Sequence, residues 1–245
     1  MVNPSKFLPD GRPHHPVNEQ RTRDTADAPF EILTLPGADA FETLRALRAR
    51  RRDIVPVVFG DRDELAATLE CIAAADLDYA ECRRRGLATQ VAEWVLRREH
   101  EAPDCFEISH RDGDVPHVPE PLSLACEPRS RIPKPEVVIG LVPIGVPWEV
   151  LARVWPGGCD ETPTPEVHVA FAKHWYERYG AVATAVTVDA LEFSVACPPT
   201  TLEAALELAH EQLAYCPDVV HEWAGNEENL AVALLNARSW YFWWY

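Results

Sequence analysis

The hydrophobic positions of this chain alternate between strand-like and helix-like spacing from Phe30 onward. The segment "FEILTL" is typical of a strand, and Asp39 followed by Glu42 indicates the start of a helix. "IVPVVF" (54–59) predicts a second strand followed by an amphipathic helix, and the pattern over 79–100 predicts one further helix. Strands and helices in this alternation are typical of an α/β layer.

The second half of the chain also mixes the two spacings. "EVVIGLVPIG" predicts a buried strand, and a brief helix is expected around "PWEVLARVW". Apolar residues at four-residue spacing from Thr164 to Tyr179 predict a long helix that Gly180 ends. "AVATAVTV" and "LEFSVA" predict a hairpin with one solvated face, because Glu192 and Ser194 alternate with apolar residues. Further on, Thr200 with Glu203 predicts a capping box for the helix "TLEAALELAHEQLAYC", and Asn226 begins the last predicted helix.

The chain ends in the aromatic run "WYFWWY" (240–245). Each buried ring removes roughly 150 to 250 Å² from water at roughly 25 cal/mol per Å², so exposure of six rings would forfeit much of a domain's stability. We therefore predict a strand in the interior of a sheet, buried on both faces. The alternative is a sugar or lipid platform, which should carry polar or basic residues between the rings, and only Arg238 is nearby.

Proline content divides the chain into parts. Seven prolines between residues 102 and 135 discourage long regular elements, so 102–135 is predicted as a connector. Residues 1–28 are rich in Pro, Arg, Asp and Asn and are predicted to form a flexible leader. The predicted fold class is α+β: an α/β-like N-terminal part over 29–101, and an α+β C-terminal domain over 136–245 with a buried aromatic terminal strand.

The charge of the chain bears on its partners. The 245 residues carry 23 Lys and Arg against 39 Asp and Glu, a formal charge of -16. This charge repels nucleic-acid phosphates and anionic lipid headgroups, so neither nucleic acid nor membrane is expected as a partner. Such acidity is more typical of a solubilising surface than of a dedicated docking face. A docking face of this sign would take a basic protein partner.

Cysteine usage and the absence of apolar runs predict a compartment. The seven cysteines are odd in number and contain no CxxC pair, which indicates a reducing cytoplasm and predicts no zinc or redox site. The first residues hold no signal-peptide core, and no run approaches the roughly 20 apolar residues that span a bilayer. The adjacent His14 and His15 lack a third ligand, so no metal site is assigned to them.

Several long segments carry a family resemblance. They are "VIGLVPIGVPWEV", "GGCDETPTPEVHVA", "HWYERYGA", "LEFSVACPPTTLEAALELAHEQLAYCPDVV" and "WYFWW". Together they resemble the bacterial domain-of-unknown-function 4253 family over about residues 136–245. The resemblance implies a bacterial cytoplasmic protein with an α+β domain, and it implies no particular activity.

The chain departs from the family pattern at several polar positions. Asp160, Thr162 and Pro163 stand where the family has an Asn and a Cys-Pro pair, Glu222 and Trp223 replace a Gln-Gly, and Tyr245 replaces a final Asp. If those groups form a catalytic set in the family, several of them are altered here. The departures therefore argue against catalysis.

Two short motifs are tested and rejected as zinc sites. His210 with Glu211 resembles the start of HExxH, but Ala214 replaces the second histidine, and the pair at His221 fails likewise at Gly225. No cofactor is predicted either, because the chain holds no glycine-rich phosphate loop and no dinucleotide fingerprint. A shared proton or cation at Glu207 and Glu211 is a further alternative, against two solvated carboxylates.

The remaining candidate site combines a loop with a helix end. Its residues are Asp160 and Glu161 in the loop, and Glu211, Gln212 and Asp218 at the helix end. Because no complete catalytic set is visible, the expected function is a protein-binding module of immunity or accessory type, with the catalytic residues unassigned. The alternative is a hydrolytic or cation-assisted enzyme that acts on a polar small molecule through a carboxylate-lined cleft. A polar rim that only closes the core is the structural alternative.

Overall fold

The computed structural model describes residues 28–103, 106, 122–127 and 130–244. The helices are α1 (Ala40–Arg50), α2 (Arg62–Ala74), α3 (Tyr79–Ala88), α4 (Val91–Glu101), α5 (Pro165–Tyr179), α6 (Leu202–Tyr215) and α7 (Glu227–Leu234). The strands are β1 (Glu31–Leu35), β2 (Val55–Val58), β3 (Val137–Val142), β4 (Ala181–Val186), β5 (Ala190–Val195) and β6 (Ser239–Trp243). Short 3-10 helices occupy Gly37–Asp39, Ser123–Ala125 and Pro147–Ala152, and a π-helical turn occupies Val219–Ala224. The predicted leader, with His14 and His15, and most of the predicted connector lie outside the described residues.

The six strands form one mixed sheet in the order β1-β3-β2-β4-β5-β6. Strand β2 lies between β3 and β4, and it pairs antiparallel with β3 and parallel with β4. The α+β fold class is therefore confirmed, with strands from before and after 102–135 in the same sheet. The assignment of that segment as a domain boundary stays a prediction, since a common sheet does not test where each part would fold alone.

The aromatic end is a buried strand, as predicted, but it lies at the edge of the sheet. Within the described residues, β5 is the strand that pairs with β6, through an antiparallel register that includes Leu191 opposite Phe242. Every residue of β6 is buried. The predicted place in the interior of the sheet is wrong, because β6 has one neighbouring strand among the described residues. Its rings are buried by packing against the two faces of the strand and not by a second neighbouring strand. Tyr245 lies outside the described residues.

An aromatic cluster covers one face of β6. Trp175 of α5 stacks on Phe242 with ring centroids 5.4 Å apart and meets Trp240 edge-on at 5.6 Å. Tyr215 at the end of α6 contacts Phe242 at 5.1 Å and Trp244 at 5.6 Å. These three rings of the chain end therefore pack between the two longest helices and the sheet, which explains their burial.

The hairpin of β4 and β5 forms as predicted, but Glu192 on its predicted solvated face is covered. The Glu192 side chain, which alternation placed in water, is 1% exposed. Its carboxylate accepts hydrogen bonds from the Ser123 hydroxyl and from the backbone N–H of Leu124 at 3.1 Å. The expectation is wrong because a 3-10 turn far away in sequence covers the strand, and the donors of that turn satisfy the buried carboxylate.

Two helix predictions need correction in their bounds. The single helix expected over 79–100 is two helices, because Thr89 adopts extended backbone between α3 and α4. The cap of α6 is Thr201 rather than Thr200, and its hydroxyl accepts from the N–H of Ala204 at 3.3 Å. The starts of α5 and α7 are confirmed, the latter with the Asn226 side chain as cap.

Candidate functional site

The loop that precedes α5 lies against the turn that joins β4 to β5. The backbone N–H groups of Gly157 and Gly158 donate to the carbonyl of Val188 at 2.9 and 2.8 Å. The N–H of Trp244, just after β6, donates to the carbonyl of the adjacent Asp189 at 2.9 Å. The loop and the end of the aromatic strand are therefore held at the same turn.

The C-terminal end of α6 meets the aromatic strand as well. The thiol of Cys216 donates to the carbonyl of Trp243 at 3.0 Å. Burial raises the pKa of the Cys216 thiol well above its usual range, and the charge of Asp218 acts in the same direction. Cys216 is therefore a protonated, packed thiol.

The charges of Glu161 and Glu222 act on Asp218, which lies just beyond the end of α6, and we call these three carboxylates the carboxylate cluster. Burial first, and then repulsion from Glu161 and Glu222, raises the pKa of Asp218 from 3.8 to about 6. In the part of the chain that the structure describes, none of the three forms an ion pair with a Lys, Arg or His side chain. Among the described residues, the cluster therefore concentrates negative charge without a counter-ion.

The cluster contains two of the five predicted site residues, Glu161 and Asp218. A third, Asp160, lies next to Glu161 in the loop and is exposed. Sequence reasoning noted Glu222 only as a departure from the family pattern. Its four-residue spacing from Asp218 is the signal that could have grouped the two, because side chains four apart share one helical face, and a helical turn does follow Asp218.

Glu211, the fourth predicted site residue, is directed toward α5 instead. Its carboxylate accepts from the indole N–H of Trp175 at 2.8 Å and from the guanidinium of Arg178 at 2.7 Å, and it lies 2.9 Å from Nε2 of His174. Arg178 also donates to Glu207 at 2.9 Å. The pair of carboxylates at four-residue spacing thus shares one arginine, and the arrangement joins α5 to α6.

Gln212, the fifth predicted site residue, is 2% exposed and lines a cavity of about 10 Å³ between α6 and β6. Its amide nitrogen and the indole nitrogen of Trp240 are both buried without a protein partner. Gln212 therefore belongs to the interior and not to the surface that holds the carboxylate cluster.

A buried His–Tyr pair also lies in this region, and sequence reasoning missed it. Nδ1 of His168 and the hydroxyl of Tyr215 are 2.5 Å apart, and both side chains are buried. Burial lowers the pKa of His168 to about 3, against an opposing effect of the Pro156 and Pro163 backbone. The imidazole is therefore neutral at physiological pH. Its spacing of three and seven residues from Phe171 and Trp175 was the signal for a core-facing position.

His210 has a structural role at the other side of α6. Its ring lies 2.8 Å from the Glu99 carboxylate and 3.1 Å from that of Glu227, so it bridges α4 and α7. The hydrogen bond to Glu227 is the largest of the effects that raise the pKa of His210. Both ring nitrogens of His210 are therefore engaged by carboxylates of the neighbouring helices.

Neither a metal centre nor a membrane span is visible in the described residues. Within 28–103, 122–127 and 130–244, no group of three or more His, Cys, Asp or Glu side chains could hold a metal ion. No helix in these ranges combines the length and the apolar character needed to cross a membrane.

The described residues define an α+β fold built on one mixed six-stranded sheet. Residues 138–245 match the family model described as a domain of unknown function, DUF4253. Comparison with curated proteins found no match, and comparison with solved structures found none.

Proposed function

We propose that this chain is a protein-binding module, of immunity or accessory type, that captures a basic partner through the carboxylate cluster. The observation that carries the proposal is the convergence of the loop before α5, the end of α6 and the end of β6 at one place. These three segments are far apart in the sequence, and each belongs to a motif of the family resemblance. Glu161 and Asp218 lie in or next to two of these segments, and the carboxylate cluster forms no ion pair with any residue that the structure describes.

Charge distribution supports a basic partner. Residues 138–245 hold 4 Lys and Arg against 14 Asp and Glu, a formal charge of -10 out of the total of -16. A Lys or Arg side chain inserted among Glu161, Asp218 and Glu222 would relieve the repulsion that raises the pKa of Asp218. Complementary charge of this kind accelerates encounter and makes binding dependent on salt.

The groups nearest to a catalytic set are already occupied in the interior. Cys216 is a protonated thiol, the His168–Tyr215 pair is buried, and Glu211 is bound to α5. These contacts favour a docking surface over a nucleophilic or acid–base centre built from them.

One observation favours the enzyme alternative, in which the site acts on a polar small molecule. A half-buried carboxyl with a pKa near 6, such as Asp218, can both accept and donate a proton near neutral pH. Such a role would assign Asp218 as a general acid or base in a hydrolytic or cation-assisted reaction.

The test is affinity capture by the full-length protein from the lysate of its native host at low and at high salt. We expect one basic protein that is retained at low salt and released at high salt. The triple variant Glu161→Gln, Asp218→Asn, Glu222→Gln should no longer retain this protein. A matched variant with the same charge change at exposed positions, Asp63→Asn, Glu93→Gln, Glu203→Gln, should retain it.

Equal capture by the two triple variants would contradict the role of the cluster. Absence of any captured protein, together with turnover of a small molecule that Asp218→Asn abolishes, would favour the enzyme instead.

A further inference from the structure

A second cavity lies between the segment before β1, helices α2 and α3, and the 3-10 helix that follows β3. Its volume is about 100 Å³, and it is partly open to solvent. The walls are largely apolar and include the rings of Phe30, Tyr79 and Trp155 together with Leu77. Residues on both sides of the predicted connector are therefore needed to form it.

Among the described residues that line this cavity, Arg153 is the charged one. Its Nε is buried and has no hydrogen-bond partner. The guanidinium lies 4.3 Å from the centre of the Tyr79 ring, in a cation–π contact. Within the described residues it forms no ion pair, although the chain carries a large excess of acidic groups.

The polar contacts beside the cavity engage a nearby carboxylate with groups other than Arg153. Glu149, in the same 3-10 helix, accepts from the Tyr79 hydroxyl at 2.7 Å and from Nε of Arg83 at 2.6 Å. This carboxylate is therefore engaged, and it holds the Tyr79 ring in place beneath Arg153. The cavity wall thus holds a half-buried guanidinium whose buried Nε has no hydrogen-bond partner among the described residues, and a buried donor left without a partner is costly.

We propose that this cavity binds a small carboxylate with an apolar body. The guanidinium of Arg153 would hold the carboxylate, and the apolar body would lie against Phe30 and Trp155. A cavity of about 150 Å³ accommodates benzene, so the smaller volume here suits an acid of roughly four to six non-hydrogen atoms. This site is distinct from the carboxylate cluster, whose charge repels anions.

Two kinds of ligand carry a carboxylate on an apolar body. One is a free short-chain acid, and the other is the C-terminal carboxylate of a peptide that ends in an apolar residue. Inorganic phosphate is not expected to bind, because a single cation and apolar walls do not replace the hydration of a dianion. The two carboxylate sources differ in size and can be compared directly in one assay.

The test is titration of the full-length protein at constant ionic strength, followed by tryptophan fluorescence and by backbone NMR signals. The probes are sodium butyrate, its neutral isostere butyramide, inorganic phosphate, and an N-acetylated tripeptide ending in valine with a free or an amidated C-terminus. We expect saturable butyrate binding with a Kd of about 1 mM or tighter, and no binding of butyramide or phosphate. Binding of the free-acid tripeptide at least about tenfold tighter than butyrate would identify a peptide C-terminus as the source, and the reverse order would identify a free acid.

Arg153→Met keeps an apolar stem and should weaken butyrate binding by about tenfold or more. Arg45→Met, at an exposed arginine of α1, should leave it unchanged. If Arg153→Met does not fold, the NMR signals of the unchanged protein test the site instead. The chemical-shift changes that butyrate induces should be confined to Phe30, Tyr79, Arg153 and Trp155. The proposal is overturned if neither butyrate nor the free-acid tripeptide binds saturably up to tens of millimolar. It is also overturned if folded Arg153→Met binds butyrate undiminished, or if the NMR chemical-shift changes lie elsewhere in the protein.

Discussion

Replacement of Asp218 by Asn should stabilise the protein at neutral and higher pH. The folded-state pKa of Asp218 is raised from 3.8 to about 6, first by burial and then by Glu161 and Glu222. A carboxyl with a raised pKa opposes folding once it ionises. Its favourable contribution is fully present below pH 3.8 and is lost as the pH rises through about 6.

The size of this effect follows from the shift. A rise in pKa from 3.8 to about 6 corresponds to about 3 kcal/mol of unfolding free energy above pH 7. Because the Asp218 side chain keeps contact with solvent, screening reduces this to about 1 to 2 kcal/mol. The neutral amide of Asp218→Asn avoids the loss, so at pH 8 its melting temperature should exceed that of the unchanged protein by roughly 2 to 8 °C.

The assay is urea and thermal denaturation of both proteins between pH 4 and pH 8, with Asp160→Asn as a control at an exposed carboxylate of the neighbouring loop. The advantage of Asp218→Asn should grow with pH between about 4 and 7 and then level off. Glu222→Gln should reduce that advantage when combined with it, because one source of repulsion is removed. A stability difference that does not depend on pH, or a less stable Asp218→Asn at pH 8, would refute the assigned environment of this carboxyl.

Three further predictions concern packing. Deletion of residues 240–245 should remove the rings that pack on Trp175 and abolish cooperative unfolding of the whole sheet, measured by circular dichroism. Gly86→Ala should destabilise the protein by about 1 to 3 kcal/mol in chemical denaturation, because an added Cβ would lie 2.5 Å from the Val169 side chain. Iodoacetamide at pH 8 should label the exposed Cys197 and leave the buried Cys216 unmodified, as measured by mass spectrometry.

Each of these predictions has a clear opposite outcome. Full thermal stability and cooperativity after deletion of 240–245 would show that the aromatic strand is dispensable. A neutral or stabilising Gly86→Ala would mean that α3 and α5 separate without cost. Rapid labelling of Cys216 under native conditions would show that its thiol reaches solvent.

The sequence by itself determined most of the local elements and the burial of the aromatic end. Amphipathic spacing identified α5, and an Asn cap identified the start of α7, because these signals depend on residues a few positions apart. The density of rings in 240–245 was enough to predict a buried strand, since so much apolar surface cannot remain in water.

Sequence reasoning also named Glu161 and Asp218 as site residues, but it could not separate them from Glu211. That separation depends on α5, whose Trp175 and Arg178 bind Glu211 from more than thirty residues away in the chain. The place of Arg153 beside Tyr79 likewise requires two segments that are distant in sequence.

Only the tertiary structure decided which strand neighbours which, and in which environment each polar side chain lies. The edge position of β6, the insertion of β2 between β3 and β4, and the burial of Glu192 all follow from contacts between distant segments. The spacing of apolar residues along the chain indicates which face of a helix or strand is apolar. The pairing of strands, the burial of side chains and their pKa values depend on what covers that face. The second kind of information arises from packing of the whole chain, because desolvation and charge interactions act through space and not along the sequence.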